Sequence, residues 1–472
     1  MRLLMAPLVL TLLLPLSAVA QDGADSLSAE VDRLFEAWHR PDTPGAAVLV
    51  LKDGAVVHSR GYGMANLEQG APIRPSSVFD IASVSKQFAA FALALLESDG
   101  LVGWDDPVHQ YIPELADFGR PVTLRQLVHH TSGIRDWPGT LAMAGWDYQD
   151  VMSFEQILRM AFQQEELNFD PGTEYTYSNT GYNLIAEVVS RVSGQSFRDF
   201  TDERIFGPLG MTRTHFHDDH TRLVADRADS YRLAPGGEPG YRNVVNSLTA
   251  MGSSSLFSTV EDLARWILNF EEPVVGDALV FDRMHERGIL SDGDTIAYAG
   301  GQSLGSFRGS TRWTHTGSWA GYRTALFRHP DERFAVVVLA NRADANPAGL
   351  ANRITEIYLA DALDPPMVAQ DNQRGGGDPP EPWTPSAETL VEYEGVFRSP
   401  EIESTYHLVV DEGRLLAHHF RTGTRLLRPV APDRFQAPTL GEVIFVRDAE
   451  GGITHFTANQ GRIRGFRFER IL

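Results

Sequence analysis

The sequence predicts a mixed α/β protein of the α+β type: one antiparallel sheet flanked by helices and joined to an all-helical lobe, followed by a small all-β barrel. Three observations carry this. Strand-like runs at residues 44–63 and 312–342 are separated by a stretch, from Phe79 to about Phe270, whose periodicity is mostly helical. A Pro/Gly-rich segment at residues 362–387 then interrupts the chain. Beyond it, runs such as "YEGVFRS", "YHLVVDEGRLLAHH" and "RIRGFRFERIL" are short strands joined by Asp/Gly turns.

At 472 residues the chain exceeds one compact core, and two or three domains are expected. The first strand-like run, "PGAAVLVLKDGAVVHSRGYG", is centred on Asp53-Gly54, a hairpin turn signal. Pro330-Asp331 marks a second turn in the late run, so the two ends of the first domain are expected to share a single sheet. The boundaries read as a mixed α/β domain at 21–361, a linker at 362–387 and a barrel at 388–472. The amino terminus, "MRLLMAPLVLTLLLPLSAVAQDG", has an early Arg, a short Leu-rich run and Ala18-Val19-Ala20, the pattern of a secretory signal at residues 1–20. A membrane anchor is disfavoured because the apolar run is short and broken by Pro15. The mature protein is therefore expected to be periplasmic or secreted, without membrane insertion.

Composition excludes several chemistries. There is no Cys, which rules out a Cys nucleophile, a thiolate metal site and a lipidated amino-terminal Cys. A net charge of −21 argues against nucleic acid as partner. A small molecule or short peptide is the expected partner, and no cofactor or metal is expected.

Of 41 basic residues only Lys52 and Lys86 are lysines. Lys52 adjoins the Asp53-Gly54 turn, where a solvated cation suffices. Lys86 lies in "FDIASVSKQFAAFALALL", three residues after Ser83 at the start of an apolar helix. That spacing puts both on one helix face. Arg cannot lose its proton in a protein, whereas a buried Lys can, so this position needs an amine able to take the Ser83 proton. Holding it neutral near pH 7 means lowering its pKa by about three units, roughly 4 kcal/mol of burial and neighbouring charge. Alone, S-x-x-K is a weak signal that reads first as a Ser N-cap followed by a solvated Lys, and it is the scarcity of Lys that raises the catalytic reading.

Two further clusters bear on it. Tyr177-Ser178-Asn179 precedes a helical run, and alone it reads first as a Tyr/Asn-rich turn capping that helix; set beside Lys86, a Tyr177 hydroxyl is able to relay protons and the Asn179 amide offers donor and acceptor to a substrate. His315-Thr316-Gly317-Ser318 begins a strand, where Gly317 permits close approach of backbone to a ligand and the Ser318 N–H joins the Ser83 N–H in an oxyanion hole. Two other patterns are decoys. Gly301-Gln302-Ser303-Leu304-Gly305 matches a nucleophile elbow but lacks the strand–turn–helix context, and "HFHDDH" from His215 reads as a polar loop without metal-ligand spacing.

Together the three clusters resemble the serine β-lactamase and penicillin-binding-protein family, in its class C β-lactamase-related branch. The likeness covers roughly Ser26 to Leu359 through "SVSKQF", "LRQLVHHTSGI", "PGTEYTYSNTGYNLIAEVV", "PLGMTRTHF" and "HTGSWAGYRT", in family order. It implies Ser83 as acylated nucleophile, Lys86 and Tyr177 as the proton-transfer pair, Asn179 with His315, Thr316, Gly317 and Ser318 as substrate-binding residues, and the Ser83 and Ser318 amides as oxyanion hole. His315 stands where lactamases and transpeptidases usually carry Lys, and is similar to what D-amino-acid-releasing peptidases and some esterases of the branch have. A neutral imidazole binds carboxylate weakly, so D-amino-acid peptides or small esters are expected ahead of lactams. The alternatives are β-lactamase or DD-carboxypeptidase activity, or a non-catalytic protein of this fold that binds cell-wall peptide. The carboxy-terminal domain resembles the lipocalin-like barrel appended to several such peptidases, where it packs near the active site and restricts entry.

Overall fold

Asp53 and Gly54 both take positive φ, 52° and 77°, the geometry that matches a two-residue turn to the twist of its strands. They join β1 (Ala46–Lys52) to β2 (Ala55–Tyr62) in antiparallel register. The computed structural model describes residues 17–366 and 383–472, with side chains from Ser26 onward. The expected leader thus falls mostly on residues 1–16, outside the described residues, and its last four residues open helix α1 (Ser17–Leu34). Most of the expected linker, residues 367–382, also lies outside them.

Between the two strand regions the chain builds the helical lobe. Helix α2 (Lys86–Ser98) is buried without a break from Lys86 to Leu96, because "QFAAFALALL" is apolar on every face and such a helix has to lie at the centre of its lobe. It packs on α3 (Asn179–Ser193), which starts at the Ser178 N-cap and ends at Gly194 in the left-handed region.

Strands β3 (Ser303–Phe307), β4 (Ser310–Trp319), β5 (Tyr322–His329) and β6 (Phe334–Ala340) complete a six-stranded antiparallel sheet of order β3-β4-β5-β6-β1-β2. The early hairpin and the late strands meet where β1 pairs with β6, Ala46 opposite Ala340 and Lys52 opposite Phe334. Both faces of β1 are covered, which explains its continuous apolar run. Ala47, Leu49 and Leu51 point into the core shared with the helical lobe. Ala46, Val48 and Val50 point into a second core under α1 and α4 (Pro347–Tyr358). Strand periodicity of two divides one sequence between two cores.

The carboxy-terminal part is a closed barrel of eight strands: β7 (Gly395–Ser399), β8 (Ser404–Asp411), β9 (Arg414–His419), β10 (Gly423–Ala431), β11 (Arg434–Ala437), β12 (Gly441–Arg447), β13 (Ile453–Gln460) and β14 (Ile463–Arg470). Phe397, Tyr406, Phe435, Phe445, Phe456 and Phe468 fill its interior, as an eight-stranded barrel allows. It is anchored to the lobe by polar contacts. Arg135 Nη1 donates to both carboxylate oxygens of buried Glu401, at 2.7 and 2.5 Å, and the Tyr406 hydroxyl donates to the Met143 carbonyl at 2.7 Å. The β13–β14 turn is pinned by Asn168, whose Nδ2 donates to the Arg462 carbonyl and whose Oδ1 accepts from the Arg464 amide, each at 2.9 Å.

Burial sets the acid limit of this fold. It pulls His58, His129, His215, His217, His285 and His329 from 6.5 down to about 4. The unfolded chain binds these protons near 6.5 and the folded chain only near 4, so their contribution is complete above pH 6.5 and is lost as pH falls through 4. Asp80 and Asp202, raised to about 6, act in the opposite sense but are fewer. Calorimetry is expected to show a melting temperature that drops steadily between pH 6.5 and 4.

Candidate active site

Ser83 sits in a tight 3-10 turn, Ala82–Ser85, that leads directly into α2. In such a turn residues three apart eclipse, so Ser83 and Lys86 are superposed more closely than on an ordinary α-helix. The preceding Ala82 has φ +47°, and its N–H is held by Asp80 Oδ1 at 2.8 Å. That strained residue turns the chain out of the short strand Phe79–Asp80 and presents Ser83 to a cavity.

Lys86 is fully buried. Its Nζ lies 3.2 Å from Ser83 Oγ, 2.7 Å from Asn179 Oδ1 and 2.7 Å from the Ser253 carbonyl oxygen. Two of these three partners can only accept. A neutral amine has two N–H groups and one lone pair, so donating to both carbonyl oxygens leaves the lone pair for the Ser83 hydroxyl. Burial pushes the amine well below its ordinary pKa, a nearby Asp136 raises it and Arg462 lowers it.

Tyr177 hydrogen-bonds Ser83, and burial raises its phenol above the ordinary range, so it works as a neutral hydroxyl. Its ring packs 4.2 Å from that of His130, whose Nδ1 accepts the Ser178 N–H at 3.1 Å. The stretch "LRQLVHHTSGI" thus braces the Tyr177 segment from behind. Asn179 lines the cavity, with both ends of its amide engaged by the protein: Oδ1 takes Lys86, and Nδ2 donates to Asp136 Oδ1 at 2.9 Å. Asp136 also accepts the Asn179 N–H at 2.7 Å, and its second oxygen accepts Arg462 Nη1 at 2.8 Å.

The third wall is β4. Beyond Thr314 this strand has β5 on one side only, which leaves the edge at Thr316–Ser318 along the cavity beside Ser83. Gly317 permits a close approach, but to the protein's own turn: a Cβ there would lie 2.4 Å from the Ile81 carbonyl oxygen and 3.0 Å from Ala82 Cβ. This contact seats β4 at Gly317 against the turn that carries Ser83. His315 is held neutral, its pKa pulled down to about 3 by burial and by Lys86. Its Nδ1 donates to the Thr316 carbonyl at 2.7 Å, so Nε2 accepts the Tyr298 hydroxyl at 3.1 Å.

All eight sequence-derived residues therefore surround one cavity of about 460 Å³, apart from Lys86, which lies beneath it. Asp136, Trp137, Ser254 and Arg462 also line it and were not anticipated. Arg462 comes from the β13–β14 turn of the barrel, its side chain half exposed and 4.5 Å above the Tyr177 ring. No local pattern marks it among 39 arginines. The two decoys lie elsewhere: Ser303 opens strand β3, and His215–Phe216 is not the expected loop but a two-residue strand paired with Leu256–Phe257, ordered because Phe216 is buried against Phe197.

Replacing Lys86 by Arg retains charge and removes basicity. Hydrolysis is expected to fall by about 10² to 10⁴-fold, the usual worth of a positioned base, with the circular dichroism spectrum unchanged; near-native turnover would exclude the amine as base.

Residues 31–360 match the Beta-lactamase family. Penicillin-binding protein 4* of Bacillus subtilis is 30% identical over 336 residues, 66% of this chain and 71% of that protein. A D-aminopeptidase of Gluconobacter oxydans is 30% identical over 323 residues, 68% of this chain and 60% of the relative. Among solved structures, the penicillin-binding protein homologue of Pyrococcus abyssi aligns over 96% of this chain and 99% of its own with a TM-score of 0.61 at 22% identity. The D-amino acid amidase of Ochrobactrum anthropi SV3 aligns over 73% and 99% with a TM-score of 0.58 at 21% identity. The structural likenesses speak for the fold alone. The family match takes in every segment that builds the cavity except the barrel turn, and by it this chain belongs to the Beta-lactamase family of serine hydrolases.

Proposed function

We propose that the chain is an exported acyl-enzyme hydrolase that cleaves D-amino-acid peptides or small esters in preference to lactams. The observation that carries the chemistry is the buried Lys86 amine 3.2 Å from Ser83 Oγ with its other two partners both acceptors. Ser83 Oγ attacks the substrate carbonyl as its proton passes to Lys86 Nζ. The Ser83 and Ser318 amides receive the developing oxyanion, and each such donor is worth about 3 kcal/mol. The Tyr177 hydroxyl relays that proton: it gives its own to the departing amine or alkoxide as the C–N or C–O bond breaks and takes up the one held on Lys86 Nζ, so the phenol ends protonated and the amine neutral again. Water then attacks the acyl-enzyme and releases the acid.

Substrate preference rests on where the cations are. His315 is neutral with both ring nitrogens engaged, so the part of β4 that lines the cavity, His315–Trp319, offers no charge to a substrate carboxylate. The cation at this cavity is Arg462, brought by the barrel, with only Nη1 tied to Asp136. The presence of D-aminopeptidases among the relatives supports a D-configured amide substrate, and the amino-terminal "LLMAPLVLTLLLPLSAVA" supports export.

Side-by-side hydrolysis of p-nitrophenyl esters, D-Ala p-nitroanilide and nitrocefin is expected to rank nitrocefin last, and nitrocefin as the best substrate would overturn the preference. A fluorophosphonate that leaves Ser83 unlabelled would favour the non-catalytic binder. Arg462→Ala is expected to raise KM about tenfold for a peptide with a free carboxylate, the worth of one charged hydrogen bond, and to leave neutral esters nearly unaffected.

A further inference from the structure

Two buried side chains outside the Ser83–Lys86–Tyr177 group, Asp80 and Asn246, stand between the nucleophile turn and the opposite wall of the cavity. Asp80 Oδ1 accepts the Ala82 N–H at 2.8 Å, and its Oδ2 accepts Asn246 Nδ2 at 2.7 Å. Asn246 Oδ1 in turn accepts Trp319 Nε1 at 3.0 Å and the Leu248 N–H at 3.2 Å. Every contact runs in one sense: the carboxylate receives two N–H groups, and the amide gives one and receives two. Trp319 closes β4 and lines the cavity with Trp137, their rings 5.6 Å apart.

We propose that Asp80 and Asn246 are positioning residues for acyl transfer, a carboxylate–amide pair that fixes the Ser83 turn against the Trp319 wall. The reason lies in Ala82. At φ +47° a residue with a Cβ is held away from its ordinary backbone region, and Asp80 Oδ1 is the group holding its amide. Released, the turn relaxes and carries Ser83 Oγ away from Lys86 Nζ. Arg227 and Tyr322 are the other charged or titratable groups facing Asp80; Arg227 favours the carboxylate form. The pair touches neither the substrate position nor the proton path, so its effect falls on the rate of acylation and not on binding.

The inference rests on Ser83 being the acylated residue, and the test separates the two. The full chain is reacted with a fluorophosphonate, the rate constant and half-saturation concentration for Ser83 labelling are measured separately, and the melting temperature is recorded, with Ser83→Ala as the blank. Asp80→Asn sets amide nitrogen against amide nitrogen, and rotating Asn246 only moves the conflict to Trp319 Nε1 and the Leu248 amide. Asn246→Asp sets two carboxylates face to face. Each is expected to slow the rate constant by about ten- to a hundredfold, the order of loss for a small misplacement of a reacting group, at little change in half-saturation. The exchange, Asp80→Asn with Asn246→Asp, restores every donor–acceptor pairing and is expected to recover most of the rate, a coupling only interacting residues show. Single variants with native rates, or an exchange slower than either single, overturn the proposal. Should the singles fail to fold, an exchange that regains the native melting temperature and rate supports it, and one that stays unfolded overturns it. Absence of label at Ser83 in the native chain removes the acyl-enzyme reading itself, whereas label without rescue removes only this pair.

Discussion

Lys86 brings a nitrogen into a space that offers two carbonyl oxygens and one hydroxyl, with no carboxylate bonded to it among the described residues. A charged ammonium there is desolvated without a directly bonded counter-ion, whereas a neutral amine fits all three partners, two by donation and one through its lone pair. Much of the lobe serves this geometry. The largely apolar α2 buries Lys86, the first residue of its own helix, and the Ser178 cap starts α3 at the point where Asn179 reaches the amine.

Asp136 is where the amine and the barrel meet. One of its oxygens orients the Asn179 amide toward Lys86, and the other receives Arg462. The carboxylate favours a proton on Lys86 and the guanidinium opposes it, so the docked barrel contributes to the field at Lys86 as well as to the wall of the cavity. The buried Arg135–Glu401 pair next to this junction has the same character: breaking it leaves a buried charge, so it holds the two parts in one arrangement.

The proposed oxyanion site depends on backbone lying against backbone. Gly317 has no room for a side chain because β4 presses on Ile81 and Ala82, and Ala82 accepts a strained φ to turn Ser83 outward. These two features come from segments more than 200 residues apart, and each is local evidence of the same contact.

Much of this was legible in the sequence where the signal is local. The Asp53-Gly54 hairpin, the two-ended sheet, the change of character after residue 362 and the Ser83–Lys86 spacing are all set by periodicity and turn chemistry over a few residues, and Lys86, one of two lysines beside 39 arginines, stood out as the candidate amine. What only the tertiary structure decided are the partners of those groups. That Asn179 turns its amide to Lys86, that His315 spends both nitrogens on Thr316 and Tyr298, that Gly317 meets the nucleophile turn, and that Arg462 crosses from the barrel all arise from contacts between distant segments. Hydrogen bonding and desolvation act through space over a few ångströms, and sequence spacing carries no record of which remote residue will stand at that distance.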